Sequence, residues 1–490
     1  MKNLKLKIFM LVLLMFCVSN VNAMTINNDI KLTEDINEQV VINGKKVVID
    51  LNGHNIVNNS DALIIQNGAD VTVKGNGTIE STGRNGVSVI NSKFTLESGN
   101  IKSSEFGVFT ANKATFNMNG GTITTIDNCG AGGNGRSGYE DYTININGGV
   151  INANIKTAGY VSCGIYHPNR GTVNISGGVI NSSNGAGIVQ RAGTLNVTGG
   201  TINTQEKTKN ITGKVGDSRV VVPASAIVVD KEANYPQTST MNAKVNGDVV
   251  INSAQDNIKI IGTGIEVKAE GGIFTDEPKS TEIADGYVAK KVISGNNKDK
   301  YVVVKESELK LKVINEMISK NSVNSDEVQL IDKAIKDKYT LAAYYDVLLV
   351  KLTKNNDIVE YVSEAENKVK VTLGLPEGLS KVKDGYIRKY YVVRVHNGET
   401  TLIDDVTDNG DNTISFMSDK FSTYAVAYTD VLKSNDSSTK DKSVDTNNGN
   451  KLVTANPTTG DNLVLYIVLL SFSIISLISV IIYKKKLLVK

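Results

Sequence analysis

Side chains that could act chemically on a polymer are sparse in the most regular part of this chain. Between Gly86 and Thr204 the acidic residues are Glu97, Glu105, Asp127, Glu140 and Asp141, and the last three fall in one short stretch. A lyase needs carboxylates clustered to hold Ca²⁺, and a hydrolase needs two carboxylates facing each other across a cleft. Asp127 with Asp141, and Arg170 or Arg191 nearby, is the one constellation that could serve either chemistry. The same stretches hold Tyr139, Tyr142, Tyr160 and Tyr166. Their rings could stack on sugar faces while Asp141 and Arg170 hydrogen-bond hydroxyls. Tyr139, Asp141, Tyr142, Tyr160, Tyr166 and Arg170 therefore form the candidate ligand-binding set, with binding expected rather than turnover. The competing reading is of solvated loops whose aromatic rings pack back on the framework. No catalytic residue, metal site or cofactor is expected.

The framework that must position these residues is a repeat. Its copies read Leu-Glu-Ser-Gly-Asn-Ile at 96–101, Met-Asn-Gly-Gly-Thr-Ile at 118–123, Ile-Asn-Gly-Gly-Val-Ile at 146–151, Ile-Ser-Gly-Gly-Val-Ile at 175–180 and Val-Thr-Gly-Gly-Thr-Ile at 197–202. From Gly77 through Gly99, Gly121, Gly149 and Gly178 to Gly200 the steps are 22, 22, 28, 29 and 22 residues. A fixed period of this size marks a solenoid. Apolar columns alternate with polar ones, which means strands with one face in and one out. Phe94, Phe116, Ile144, Val173 and Leu195 form one apolar column, and Leu96, Met118, Ile146, Ile175 and Val197 a second. Thr95, Asn117, Asn145, Asn174 and Asn196 lie between them, where they can hydrogen-bond along the outside. Three short strands per turn predict a parallel β-helix. The two longer steps contain insertions at 127–142 and 154–170, expected to emerge close together as a binding face. Cys129 and Cys163 lie in them, and spacing leaves open whether they pair or stay free.

The rest of the chain reads as a sequence of modules. Residues 1–23 form a signal peptide: Lys2, Lys5 and Lys7, an apolar run from Ile8 to Val18, then Val21-Asn22-Ala23 as the cleavage site. Residues 24–304 form the β-helix and its C-terminal cap. Residues 305–430 read as a helix plus a small Ig-like β-sandwich. Asn324-Ser325-Asp326-Glu327 is read as a capping box opening a helix to about Lys338, and His396 shows no obvious partner. Residues 431–455 are polar and read as a flexible linker. Asn456-Pro457-Thr458-Thr459-Gly460 precedes an uncharged run, Leu463 to Tyr483, long enough to span a bilayer, and a basic tail. The formal net charge of +2 gives no electrostatic footprint for nucleic acid.

The order of motif, apolar span and basic tail resembles the sorting signal of sortase-anchored, Gram-positive surface proteins, with Asn456 where the usual motif has Leu. The resemblance implies cleavage between Thr459 and Gly460, a sortase and peptidoglycan as partners, and a secreted, wall-bound location reached through a membrane-anchored stage. The coil resembles the right-handed β-helix shared by pectate lyases and many bacterial surface proteins. The phrases 50–56 (Asp-Leu-Asn-Gly-His-Asn-Ile), 271–274 (Gly-Gly-Ile-Phe) and 421–425 (Phe-Ser-Thr-Tyr-Ala) are similar to ones in cell-wall proteins of Firmicutes. The leading expectation is an adhesin or glycan-binding module. The alternatives are a polysaccharide lyase or hydrolase on the same fold, and a spacer without a ligand.

Overall fold

The period seen in the sequence becomes a coil of three strands per turn. The computed structural model describes residues 23–433, apart from 140, 155–161, 206–210, 216–217, 223 and 232–240, and the backbone alone of 211–215 and 218–222. Residues 1–22 of the expected signal peptide, nearly all of the expected 431–455 linker, the 456–460 motif and the apolar run after it therefore lie outside the described residues, while Ala23 begins a described strand. Among those described, no helix is long and apolar enough to cross a membrane.

Successive coils stack into three parallel sheets. The first runs from Ala23–Thr25 and Gln39–Asn43 to Ile227–Asp230 and Ile258–Ile261. The second runs from Ile30–Lys31 to Asn242–Val245, and the third from Asn55–Asn58 to Ile273–Phe274. Phe94, Phe116, Ile144, Val173 and Leu195 are register partners on neighbouring second-sheet strands, and all are buried. The Phe94 and Phe116 rings stack at 5.4 Å. Each such side chain contributes about 1.5–3 kcal/mol by leaving water.

Outside, the Asn residues form amide ladders. Asn145 donates to Asn117, Asn174 to Asn145 and Asn196 to Asn174, each at 2.8 Å. A second ladder on the third sheet links Asn152, Asn181, Asn203 and Asn252. The Gly pair has two separate jobs. At Gly148 a β-carbon would lie 2.4 Å from the Asn119 carbonyl oxygen of the preceding coil. Gly149, at φ +79°, takes the left-handed turn into the third sheet.

The two insertions leave the coil at different corners, which corrects the expectation of one shared side. Within 127–142, Cys129–Gly132 is a first-sheet strand, and the extra length follows it, before the second-sheet strand Tyr142–Ile146. In the next coil the extra length lies between the third-sheet strand Val150–Asn154 and the first-sheet strand Ser162–His167. Repeat lengths show that residues were added but not at which corner.

The solenoid ends in a cap. The hairpin Tyr287–Lys291 and Tyr301–Lys305 pairs antiparallel to Ile273–Phe274 and closes the third sheet. The C-terminal region belongs to the same compact unit, which ends at Leu432. Ile273, Val292, Val302 and Val359 share a small apolar cluster across the junction, and Ser294 bridges to Ile358. Lys290 and Lys351 each pair with Glu306 and Glu360 around it.

A six-stranded sheet there packs on a three-stranded one around Tyr345, Val347, Leu373, Val392, Phe416 and Tyr424. The helix Ser325–Ile335 covers the other face of the larger sheet through Ile331 and Ile335, giving three layers. Asn324 caps it by accepting from the Asp326 amide at 2.9 Å. Glu327 bonds Thr423 instead of closing a capping box, so tertiary contact overrides that local motif. His396 does have a partner, with Nε2 3.0 Å from Glu364. Four strands of this region escaped the sequence reading: Lys310–Ile318, Ile358–Val362, Glu399–Ile403 and the short Thr407–Asp408.

Candidate functional site

The second and third sheets present Asn and Thr to solvent, but the first presents apolar side chains. Its outward column runs Val41, Ile64, Ser88, Phe109, Gly132, Tyr166, Val189, Val228 and Lys259. Phe106, Tyr166, Val189 and Val228 form a buried cluster there with Cys129, Cys163 and Ala186. The hairpin Ile211–Val215 and Ser218–Val222 lies beside this face. Cys129 and Cys163 are register partners on adjacent strands, with Cα atoms 4.5 Å apart, and are joined in a disulfide. That settles an alternative the spacing left open.

The candidate ligand-binding residues separate into an inward and an outward group. Tyr142 opens the second-sheet strand and points into the solenoid, where it is fully buried. Its hydroxyl lies 2.8 Å from His167 Nδ1. Burial pushes the Tyr142 phenol well above its ordinary range and pulls the His167 imidazole down to about 3. Glycines make this corner possible. A β-carbon at Gly193 would sit 2.5 Å from His167 Nε2, and one at Gly133 would sit 2.6 Å from the Tyr142 ring.

Tyr166 points outward but is only 3% exposed. Its hydroxyl accepts from Arg191 Nη1 at 2.9 Å, and the guanidinium carbon lies 5.4 Å from its ring centroid. Arg191 Nε donates to Asp230 at 3.0 Å, and both side chains are buried. Tyr142 and Tyr166 are thus structural, which corrects their assignment to a ligand surface. Sugar stacking needs an open ring face, and neither ring has one. Arg191 likewise pairs with Asp230, 39 residues away, while Asp141 pairs with Arg170.

The outward group is smaller. Tyr139 is 36% exposed and packs edge-on against the half-buried Phe109, with centroids 6.2 Å apart. Two residues on, Asp141 takes both arms of the Arg170 guanidinium, at 2.7 and 3.0 Å, in the open. Asn169 pins the insertion by donating to the Asn134 and Arg136 carbonyls at 2.9 and 3.0 Å. The result is an aromatic edge beside a polar, bidentate ion pair, which suits binding of a ligand with apolar faces and hydroxyls. Phe109 was missed in the sequence reading. Its signal was an aromatic residue where the parity of the strand calls for an exposed side chain. Tyr160 lies outside the described residues. Comparison of the chain with protein-family models, curated proteins and solved structures finds no match.

Proposed function

We propose that this chain is a secreted, wall-anchored surface protein that holds a β-helix outward and binds a glycan at the corner formed by Phe109, Tyr139, Asp141 and Arg170. The observation that carries the binding reading is the exposed Tyr139 ring, backed by Phe109 and flanked by the open Asp141–Arg170 pair. The 129–163 disulfide supports secretion, since such bonds persist in oxidising surroundings. The wall attachment rests on the Asn456–Gly460 motif, the apolar span after it and the basic tail.

Two measurements test this reading. Residues 24–433 are passed over pectins, host glycans and microbial polysaccharides, with release of reducing or unsaturated ends read on the same samples. Retention without product is expected, and Tyr139→Ala should weaken it about tenfold through loss of one stacking contact. New chain ends would instead establish a lyase or hydrolase. For anchoring, fractionated cells should carry the protein in peptidoglycan, joined through Thr459. Replacing Pro457 and Thr459 with Ala should move it to the membrane fraction. Wall retention of that variant would refute the sortase reading.

A further inference from the structure

The C-terminal region carries an open sheet edge whose residues complement themselves. Lys310–Ile318 pairs with Thr340–Leu352 on one side only, and no described strand covers its other edge. A long, exposed edge strand is a template for another chain. Here it also exposes large apolar side chains, Leu311 at 55% and Met317 at 45%, on one face. On the other face are Lys310, Lys312 and Glu316, with Ile314 half-buried between them.

We propose that two copies of this chain pair through this edge, antiparallel about a two-fold axis at Ile314. Opposite residues on antiparallel strands must share a face, so only registers centred on a residue are allowed. Centring on Ile314 sets Lys312 of one copy against Glu316 of the other, twice. It also sets Leu311 against Met317, twice, and Ile314 against itself. Centring on Val313 leaves Lys312 opposite Ile314 and Leu311 opposite Asn315. Centring on Asn315 sets Glu316 opposite Ile314 and Lys312 opposite Ile318. The Ile314 register leaves Lys310 opposite Ile318 and Val313 opposite Asn315, and the Val313 register also pairs Lys310 with Glu316. The Ile314 register alone joins a Lys–Glu pairing to the pairing of the strand's two most exposed apolar residues, Leu311 and Met317.

A second observation points the same way. Within one chain Glu316 stands directly across from Asp346, a like-charge pair that is unfavourable on a sheet. A lysine arriving from the facing copy supplies the missing cation. The interface is isologous and closes at two chains, since pairing consumes the edge.

The test follows the mass of residues 24–433 by light scattering over a range of concentration. A shift towards two chains is expected as concentration rises. Lys312→Glu and Glu316→Lys should each weaken it about tenfold, since each turns two attractions into repulsions. The double variant Lys312→Glu with Glu316→Lys should restore it. Ile314→Cys should form an intermolecular disulfide on oxidation, while Leu311→Cys, facing Met317, should not; the native cysteines are buried in their own bond. One-chain mass throughout with no Ile314→Cys cross-link would overturn the proposal. So would a dimer indifferent to both charge reversals.

Discussion

Arg191→Met is expected to destabilise the solenoid by about 3–5 kcal/mol, because it leaves the buried Asp230 carboxylate without the cation that faces it. It also removes the donor to the Tyr166 hydroxyl and the charge over that ring. The loss should be largely recovered in Arg191→Met with Asp230→Val. Breaking a buried pair strands a charge, whereas replacing both members by apolar groups of similar size removes the charge and its desolvation cost together. Urea unfolding of the two variants beside the parent chain measures this. If the double variant is no more stable than the single one, the cost comes from lost packing of the arginine stem and not from the stranded charge.

The second large effect is a dependence on pH. His167 sits inside the coil, and burial lowers its pKa from 6.5 to about 3. In the unfolded chain the same imidazole takes a proton near pH 6.5. Between those two values the unfolded state binds one proton more than the folded state, so stability falls as pH falls through that window. From pH 6.5 to 5, above the range where most carboxylates titrate, the loss should be about 2 kcal/mol. His167→Gln keeps an acceptor within reach of Tyr142 but cannot take up a proton. Its stability should therefore be much flatter than the parent's from pH 6.5 to 5. Denaturant midpoints at half-unit steps of pH would show this. Parallel slopes for the two proteins would mean that His167 is not the proton acceptor.

These residues also show where a reading of the chain by itself stops. Strand parity determined the interior columns, and recurrence at 22 residues determined that equivalent residues stack. Both are local or periodic facts, and the structure reproduces them from Phe94 to Leu195. Tyr142 and Tyr166 follow the same rule only in part. Parity gives their direction, since Tyr142 lies two residues before the inward Ile144 and Tyr166 falls in the outward column of Phe109. It does not show that Tyr166, although outward, is covered by Arg191 and its neighbours. The pairing of Cys129 with Cys163 and of Arg191 with Asp230 joins residues 34 and 39 apart. Spacing does not specify such partners, because coil stacking and corner placement bring them together. The sequence by itself determined the repeat, the inside and the outside. Tertiary structure decided which aromatic rings stayed open to a ligand, because burial depends on what other coils lay across them.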